Sequence, residues 1–259
     1  MKSYWLIKIG DHAELEPREM PVPQPASGQM LVRMRASSIN RGDIMARIHR
    51  HSAAGGRPAG IDGSGDVVSV GAAVTHFKKG ERVLFRARGC YADYAVVDAA
   101  LAARVPERLS WEQAAALPAA YITAWEAVVE FGRARAGEWV LLLGASSGVG
   151  VAALQIAKTL GARVIGVSGS ASKLAALKAL GLDVGAASLR LCHALRVSTS
   201  PCALQGQGAP SRKATGVASR NARVAIIFIA AYARITWATG LKHHELRRYR
   251  WPYFKKCSR

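Results

Sequence analysis

The heptapeptide Gly144-Ala-Ser-Ser-Gly-Val-Gly150 follows an apolar run, Trp139-Val-Leu-Leu-Leu143, and precedes a segment in which Val149, Ala152, Ala153, Ile156, Ala157 and Leu160 recur at helical spacing. Strand, turn and helix in that order aim the backbone N–H groups of Ser146, Ser147, Gly148, Val149 and Gly150 at an anion, and the helix N-terminus adds partial positive charge. The chemistry implied is binding of a dinucleotide pyrophosphate. The literal G-x-G-x-x-G pattern is absent, because Ala145 and Ser147 take the first two glycine places and only Gly150 keeps the third. Ser147 puts a Cβ where a cofactor approaches the backbone, so a weaker grip is expected. Folds that prefer NAD carry an acidic residue after the second strand, whereas Val167-Ser-Gly-Ser-Ala-Ser-Lys173 has none. Ser168 and Lys173 can hold a 2′-phosphate there, which predicts NADPH over NADH; a solvated first-turn lysine is the alternative.

The elements that must position this turn are legible on both sides of it. Strand patterns occur at Leu31–Ala36, Gly65–Val70, Arg82–Phe85 and Tyr91–Val97, and the opening Met1–Gly10 reads as a further strand. Pro21, Pro23 and Pro25 mark a loop, and Ser110-Trp-Glu-Gln113 has the form of a capping box. Two helical pieces, from Ala114 and from Tyr121, then lead into the Gly-rich unit. The expected plan is a β-rich domain over 1–120, a partial nucleotide-binding domain over 121–183 and an atypical basic tail over 184–259. Val224–Ala230 could form a strand against the bare edge of the one at Trp139.

Composition supports that division. The chain has 259 residues, half of them apolar, and a net charge of +19, but the last 76 residues hold 14 of the 36 Lys and Arg and one of the 17 acids, Glu245. The tail therefore reads as sequence not selected for the preceding fold, as a frame shift or gene join near residue 183 would produce. Its run Arg247–Lys256 interleaves cations with aromatics, so RNA is a conceivable but disfavoured partner. Cys90, Cys192, Cys202 and Cys257 lack metal-binding spacing, and the pair His243-His244 has no acidic or thiol neighbours. No apolar run reaches the roughly 20 residues of a membrane span, and the start lacks the form of a signal peptide, so a cytoplasmic protein is expected.

Pro23-Gln-Pro25, Leu31-Val-Arg-Met-Arg-Ala-Ser-Ser-Ile-Asn40, Asp43, Gly60-Ile-Asp-Gly-Ser-Gly65, Val70-Gly71, Phe77–Val83, Tyr91–Tyr94, Ala114–Pro118 and Thr123-Ala-Trp125 stand in one order before the Gly-rich turn. Over residues 1–183 this resembles the medium-chain dehydrogenases/reductases, and within them the zinc-independent, zeta-crystallin-like quinone oxidoreductases. The resemblance implies an α/β fold: a GroES-like β-rich catalytic domain, then a Rossmann-type parallel sheet, here partial. It also implies that Asn40 lies beside the nicotinamide and hydrogen-bonds the acceptor oxygen, that Asp43 orients the same loop, and that Thr123 holds the nicotinamide carboxamide. A loop asparagine closing its own turn, a structural carboxylate and a helix threonine bonded to its own carbonyl remain the alternatives. The zinc ligands of related enzymes are missing: Asn40 and Ile61 stand where a Cys and a His would be, and the four-cysteine lobe is absent. A pocket tyrosine of the family is replaced by Met45. No third strand or later βα unit of the family is recognisable after Asp183. The activity implied is hydride transfer from NADPH to a small electrophile, a quinone or α,β-unsaturated carbonyl. An enoyl thioester reductase, or a truncated non-catalytic fragment that binds cofactor or RNA, are the alternatives; oligomeric state stays open.

Overall fold

The computed structural model describes residues 1–9, 12–48, 56–187 and 224–228. The chain forms two units, Met1–Ile122 and Thr123–Arg259. In order, the first contains β1 (Lys2–Ile9), β2 (His12–Glu19), β3 (Gln29–Ser37), α1 (Arg41–Ile48), β4 (Arg57–Pro58), β5 (Asp62–Val70), β6 (Arg82–Arg86), β7 (Tyr94–Asp98), β8 (Ala102–Arg104), α2 (Trp111–Ala115) and most of α3 (Pro118–Trp125). All its strand pairs are antiparallel, in a small sheet ordered β2-β1-β4 and a larger one ordered β7-β3-β5-β6-β8.

The core of the first unit is built on the larger sheet, where Met30, Val32, Val67, Val83, Phe85 and Val97 are buried. Strict alternation fails in β3, since Met30, Leu31 and Val32 are all buried, because the register against β5 shifts between Leu31 and Val32. Gly65 is required on the facing strand: a Cβ there would run into the Arg33 carbonyl and lie 2.8 Å from Val32 Cγ1. The capping box forms as its residues indicate, with Ser110 Oγ accepting from the Gln113 N–H at 3.2 Å and Gln113 Oε1 from the Ser110 N–H at 3.0 Å.

In the second unit α3 ends and continues as a π-helical turn, Glu126–Phe131. There follow β9 (Trp139–Leu143), α4 (Gly148–Thr159), β10 (Arg163–Ser168), α5 (Ala171–Lys178), β11 (Val184–Ala187) and β12 (Val224–Phe228). They make a parallel sheet ordered β11-β10-β9-β12. β12 lies along β9 in the register Val224↔Trp139 to Phe228↔Leu143; the apolar pattern of Val224–Ala230 carried the strand, and the pairing supplies its place. β11 corrects the expectation that no third strand follows Asp183. Val-Gly-Ala-Ala has little intrinsic β character, and it becomes a strand by pairing with the open edge of β10. Among the described residues no helix is long and apolar enough to cross a membrane. Cys192, Cys202, Cys257, His243, His244 and the run Arg247–Lys256 lie outside the described residues.

Asp183, just before β11, fastens this sheet to α4. Its carboxylate accepts from Lys158 Nζ at 2.9 Å and from the Val164 N–H at 2.6 Å. Partial burial raises its pKa, but the Lys158 and Val164 bonds together outweigh that and hold the group below the ordinary carboxylate range. A carboxyl with a lowered folded pKa stabilises fully above its unfolded pKa and loses that contribution as pH falls through the folded value. Urea melts followed by fluorescence of a variant that keeps Trp139 as its one tryptophan should therefore lose midpoint as pH drops below about 4. Asp183→Asn should flatten that slope, and an equally steep slope in the variant would refute the assignment.

Candidate functional site

The first candidate centre is the turn between β9 and α4. Gly144 takes positive φ, +72°, and lets the chain reverse directly after the apolar strand. Ser147 is the N-cap of α4: its Oγ accepts from the Gly150 N–H at 3.1 Å and donates to the Gly144 carbonyl at 2.8 Å. Its own N–H donates to Gly144 O at 2.9 Å. Two of the five amides expected to face an anion, those of Ser147 and Gly150, are thus used within the turn. Those of Gly148 and Val149 precede the first intrahelical donor, the Val151 N–H bonded to Ser147 O at 2.8 Å, and remain as donors. A Cβ built on Gly148 meets nothing within 4 Å, so there is open space before the helix end, whereas one on Gly150 would collide with the Gly144 carbonyl oxygen and lie 2.6 Å from the Ala145 carbonyl. The serine that replaces a glycine caps the helix; the glycine that is kept lets α4 sit against the strand end.

Sheet order adds to this. All its partners follow β9 in the chain, but β10 and β11 lie on one side of it in the sheet and β12 on the other, so the order reverses at β9. Parallel α/β sheets bind ligands outside the carboxyl ends of their strands at such a point, here beside Leu143 and Gly144.

The residues expected at a 2′-phosphate do not act together. Ser168, 7% exposed, shares a hydrogen bond of 2.8 Å between its Oγ and that of Ser146, and accepts from the Ser170 N–H at 3.4 Å. It ties the turn after β9 to the turn after β10. Lys173 is exposed in the first turn of α5, where its N–H donates to the N-cap Ser170 Oγ at 3.3 Å. Thr123 is half-buried in the last turn of α3.

The second candidate centre belongs to the first unit. Asn40 precedes α1, and the first turn closes through the Asp43 N–H donating to Asn40 O at 3.0 Å and the Asn40 N–H donating to Asp43 Oδ2 at 2.9 Å. That is half of a capping box, built by the Asn40 backbone and the Asp43 side chain. The Asn40 side chain turns elsewhere: Nδ2 donates to Ser38 Oγ at 2.9 Å and to Asp62 Oδ1 at 3.0 Å. Both side-chain N–H groups are therefore occupied, and the expected donation to an acceptor oxygen would require one of these bonds to open. Tyr91 Oη donates toward Ser38 O at 3.0 Å and Asp43 Oδ2 at 3.2 Å.

Asp62, at the start of β5, is the residue that sequence reasoning missed. It has no solvent exposure, and its carboxylate accepts from Ser38 Oγ at 2.6 Å, from Asn40 Nδ2, and from the Ala119 N–H at 3.0 Å at the N-terminus of α3. Burial pushes its pKa above the ordinary value, opposed by the three donors. An acid set among Gly60, Ile61 and Gly63, where the chain has no charge or side-chain donor beside it, was the available signal. Burial also raises the Tyr91 phenol, with the Asp43 charge adding to it, and takes the Cys90 thiol up to about 12. Cys90 is thus a protonated core residue whose Sγ donates to Ala87 O, not a nucleophile. An amide at 40, an aliphatic chain at 61 and this thiol are not a donor set for zinc. Among the described residues no three His, Cys, Asp or Glu side chains gather as a metal site.

Comparison with known proteins matches these two regions to two family models. Residues 26–107 match the alcohol dehydrogenase GroES-like domain and residues 148–193 the zinc-binding dehydrogenase domain. The second match runs past Asp183, through β11. Polyketide synthase GfsB of Streptomyces halstedii is 38% identical over 173 residues, which are 67% of this chain and 3% of that protein. Among solved structures, an NAD-dependent alcohol dehydrogenase is similar at 35% identity and a TM-score of 0.66, covering 73% of this chain and 64% of the other. The Escherichia coli quinone oxidoreductase complexed with NADPH is similar at 29% identity and a TM-score of 0.64, covering 76% and 62%. The chain thus spans less than two thirds of each of these relatives.

Gly150→Ala should push α4 off the strand end. The expected cost is about 1–3 kcal/mol, as for overpacking of a tight site, read as a lowered denaturation midpoint of the second unit. Gly148→Ala, facing open space, should leave the midpoint within about 1 kcal/mol of the parent, the ordinary cost of a tolerated exchange. Equal midpoints for Gly150→Ala and the parent would contradict the close approach.

Proposed function

We propose that this chain, which belongs to the medium-chain dehydrogenase/reductase superfamily, is an NADPH-dependent reductase that reduces a quinone or an α,β-unsaturated carbonyl without zinc. The observation that carries this reading is the β9–turn–α4 unit, with its open helix N-terminus at the point where strand order reverses. When bound, the coenzyme supplies a hydride from C4 of its reduced nicotinamide. The chain's own residues then have separable tasks. The Gly148 and Val149 N–H groups, with the helix dipole, bind the pyrophosphate, and Ser146 supports them through Ser168. Lys173 pairs with the 2′-phosphate, in a turn that has no carboxylate to repel it. Similarity to a quinone oxidoreductase complexed with NADPH supports this choice of coenzyme. Thr123 holds the carboxamide.

In the first unit the small molecule is bordered by Asn40, between Ile39 at 78% exposure and Ile44 at 54%. Those aliphatic side chains suit the apolar face of a ring or enone. With no zinc to polarise an alcohol, the feasible direction is reduction of an acceptor that is already electrophilic. Solvent or a pocket group supplies the proton. Similarity to a polyketide synthase favours a second reading, reduction of enoyl thioesters by the same centre. Product analysis with a quinone and with an enoyl thioester separates the two.

NADPH added to the purified chain should enhance and blue-shift nicotinamide fluorescence, and its absence under any refolding condition would end the reductase reading. Lys173→Ala should weaken NADPH about tenfold, the loss of roughly one charge-assisted bond, and leave NADH unchanged. An unaltered ratio of the two coenzyme affinities would remove Lys173 from the site.

A further inference from the structure

An asparagine at a helix N-cap ordinarily turns its side-chain carbonyl onto the N–H three residues on. Asn40 does not: the Asp43 N–H is taken by the Asn40 backbone carbonyl, and the side chain points its NH2 group at Ser38 and Asp62. The chemistry of Asp62 explains the choice. A fully buried carboxylate has only acceptor oxygens and needs donors, and the Ser38 proton is already spent on the same Oδ1 at 2.6 Å. Were the amide reversed, two oxygens would face each other across 3.0 Å. Asn40 is half-buried, and its Oδ1 is the one polar atom of the side chain with no partner among the described residues.

We propose that Asp62 is a positioning residue that locks the Asn40 amide with its carbonyl oxygen outward, so that the ligand group recognised at Asn40 is a hydrogen-bond donor, an O–H or N–H. The proposal rests on the reading above that a small molecule borders Asn40. It changes what that molecule must carry. A simple quinone has no donor for this position, whereas a ribose hydroxyl of the coenzyme has one, and so does the amide N–H of an acyl-thioester carrier.

Asp62→Asn is the informative exchange. The Ala119 N–H still demands an acceptor, so the new amide should put its oxygen there and its NH2 toward Asn40, inverting Asn40. In the parent, the two Asn40 side-chain N–H protons should exchange slowly by NMR, with the peak assigned by its loss in Asn40→Leu. In folded Asp62→Asn they should exchange freely. This readout needs neither coenzyme nor turnover, so it stands even if the reductase reading fails for want of NADPH uptake. Where uptake occurs, Asp62→Asn should weaken the ligand carrying the donor about tenfold, one hydrogen bond to a buried group, and should add nothing in an Asn40→Leu background. A raised NADPH Kd before any acceptor is added assigns the donor to the coenzyme. An unchanged NADPH Kd with a raised KM for an enoyl N-acetylcysteamine thioester, and an unaltered KM for 1,4-benzoquinone, assigns it to the acceptor. Should Asp62→Asn fail to fold, Asp62→Glu keeps the charge and should keep both protons protected. Fast exchange of the Asn40 protons in the parent, or a raised KM for benzoquinone alone, would overturn the proposal.

Discussion

A carboxylate with no exposure to water is tolerated in a protein interior only when donors replace its hydration, and Asp62 has gathered its donors from two distant stretches of chain. Ser38 and Asn40 come from the loop between β3 and α1, and the Ala119 N–H from the first turn of α3. The helix end favours the negative charge through its dipole as well as through the bond. In return the charge fixes both segments, because each would leave a polar group unpaired beside it if it moved away. Tyr91 and Asp43 extend the same order outward, with the phenol bridging toward the Ser38 carbonyl and the Asp43 carboxylate. The loop that carries Asn40 is shaped by this buried charge more than by its own turn chemistry.

In the second unit, neutral groups do the corresponding work. Ser147 caps α4 and bonds back to the Gly144 carbonyl, and Ser146 meets the buried Ser168 of the next βα turn. Two turns that follow parallel strands are thereby held together at the end of the sheet where an anion would approach. The cost of the departure from three glycines is specific: the Gly150 N–H is spent on the serine cap, and two outward amides remain at the helix end. What is retained is the close contact of α4 with Gly144 and Ala145 directly after β9, which depends on the missing Cβ at Gly150.

Much of this architecture was legible because its signals are local. The strands, the Ser110–Gln113 capping box, the Gly-rich turn with its helix, and the strand at Val224 each declare themselves within a few residues. Asp62 did not, since its meaning lies in partners 22, 24 and 57 residues away. Ser168 was legible as a polar residue in the right turn but not as one already paired with Ser146, 22 residues earlier. The strand at Val184 escaped notice for the opposite reason: its residues say little, and the edge of β10 supplies the hydrogen bonds. The Asn40 loop could be placed from its neighbours, yet the direction of its amide depends on an acid in another strand.

Asp62 and Asp183 show how one side-chain type acquires opposite roles from its surroundings. For Asp62 desolvation dominates, and the folded chain holds its proton more tightly than the unfolded one does. Its contribution to stability therefore declines as pH rises from the ordinary carboxylate pKa through the raised one. For Asp183 the bonds from Lys158 and Val164 outweigh partial burial, and its contribution is lost in the other direction, as pH falls. The two groups lie in different units, so acid relieves the buried charge in the first while loosening the clasp between α4 and the sheet in the second. Stability near neutral pH thus includes a standing cost at Asp62, and that cost is what keeps the Ser38, Asn40 and Ala119 donors aimed at one point.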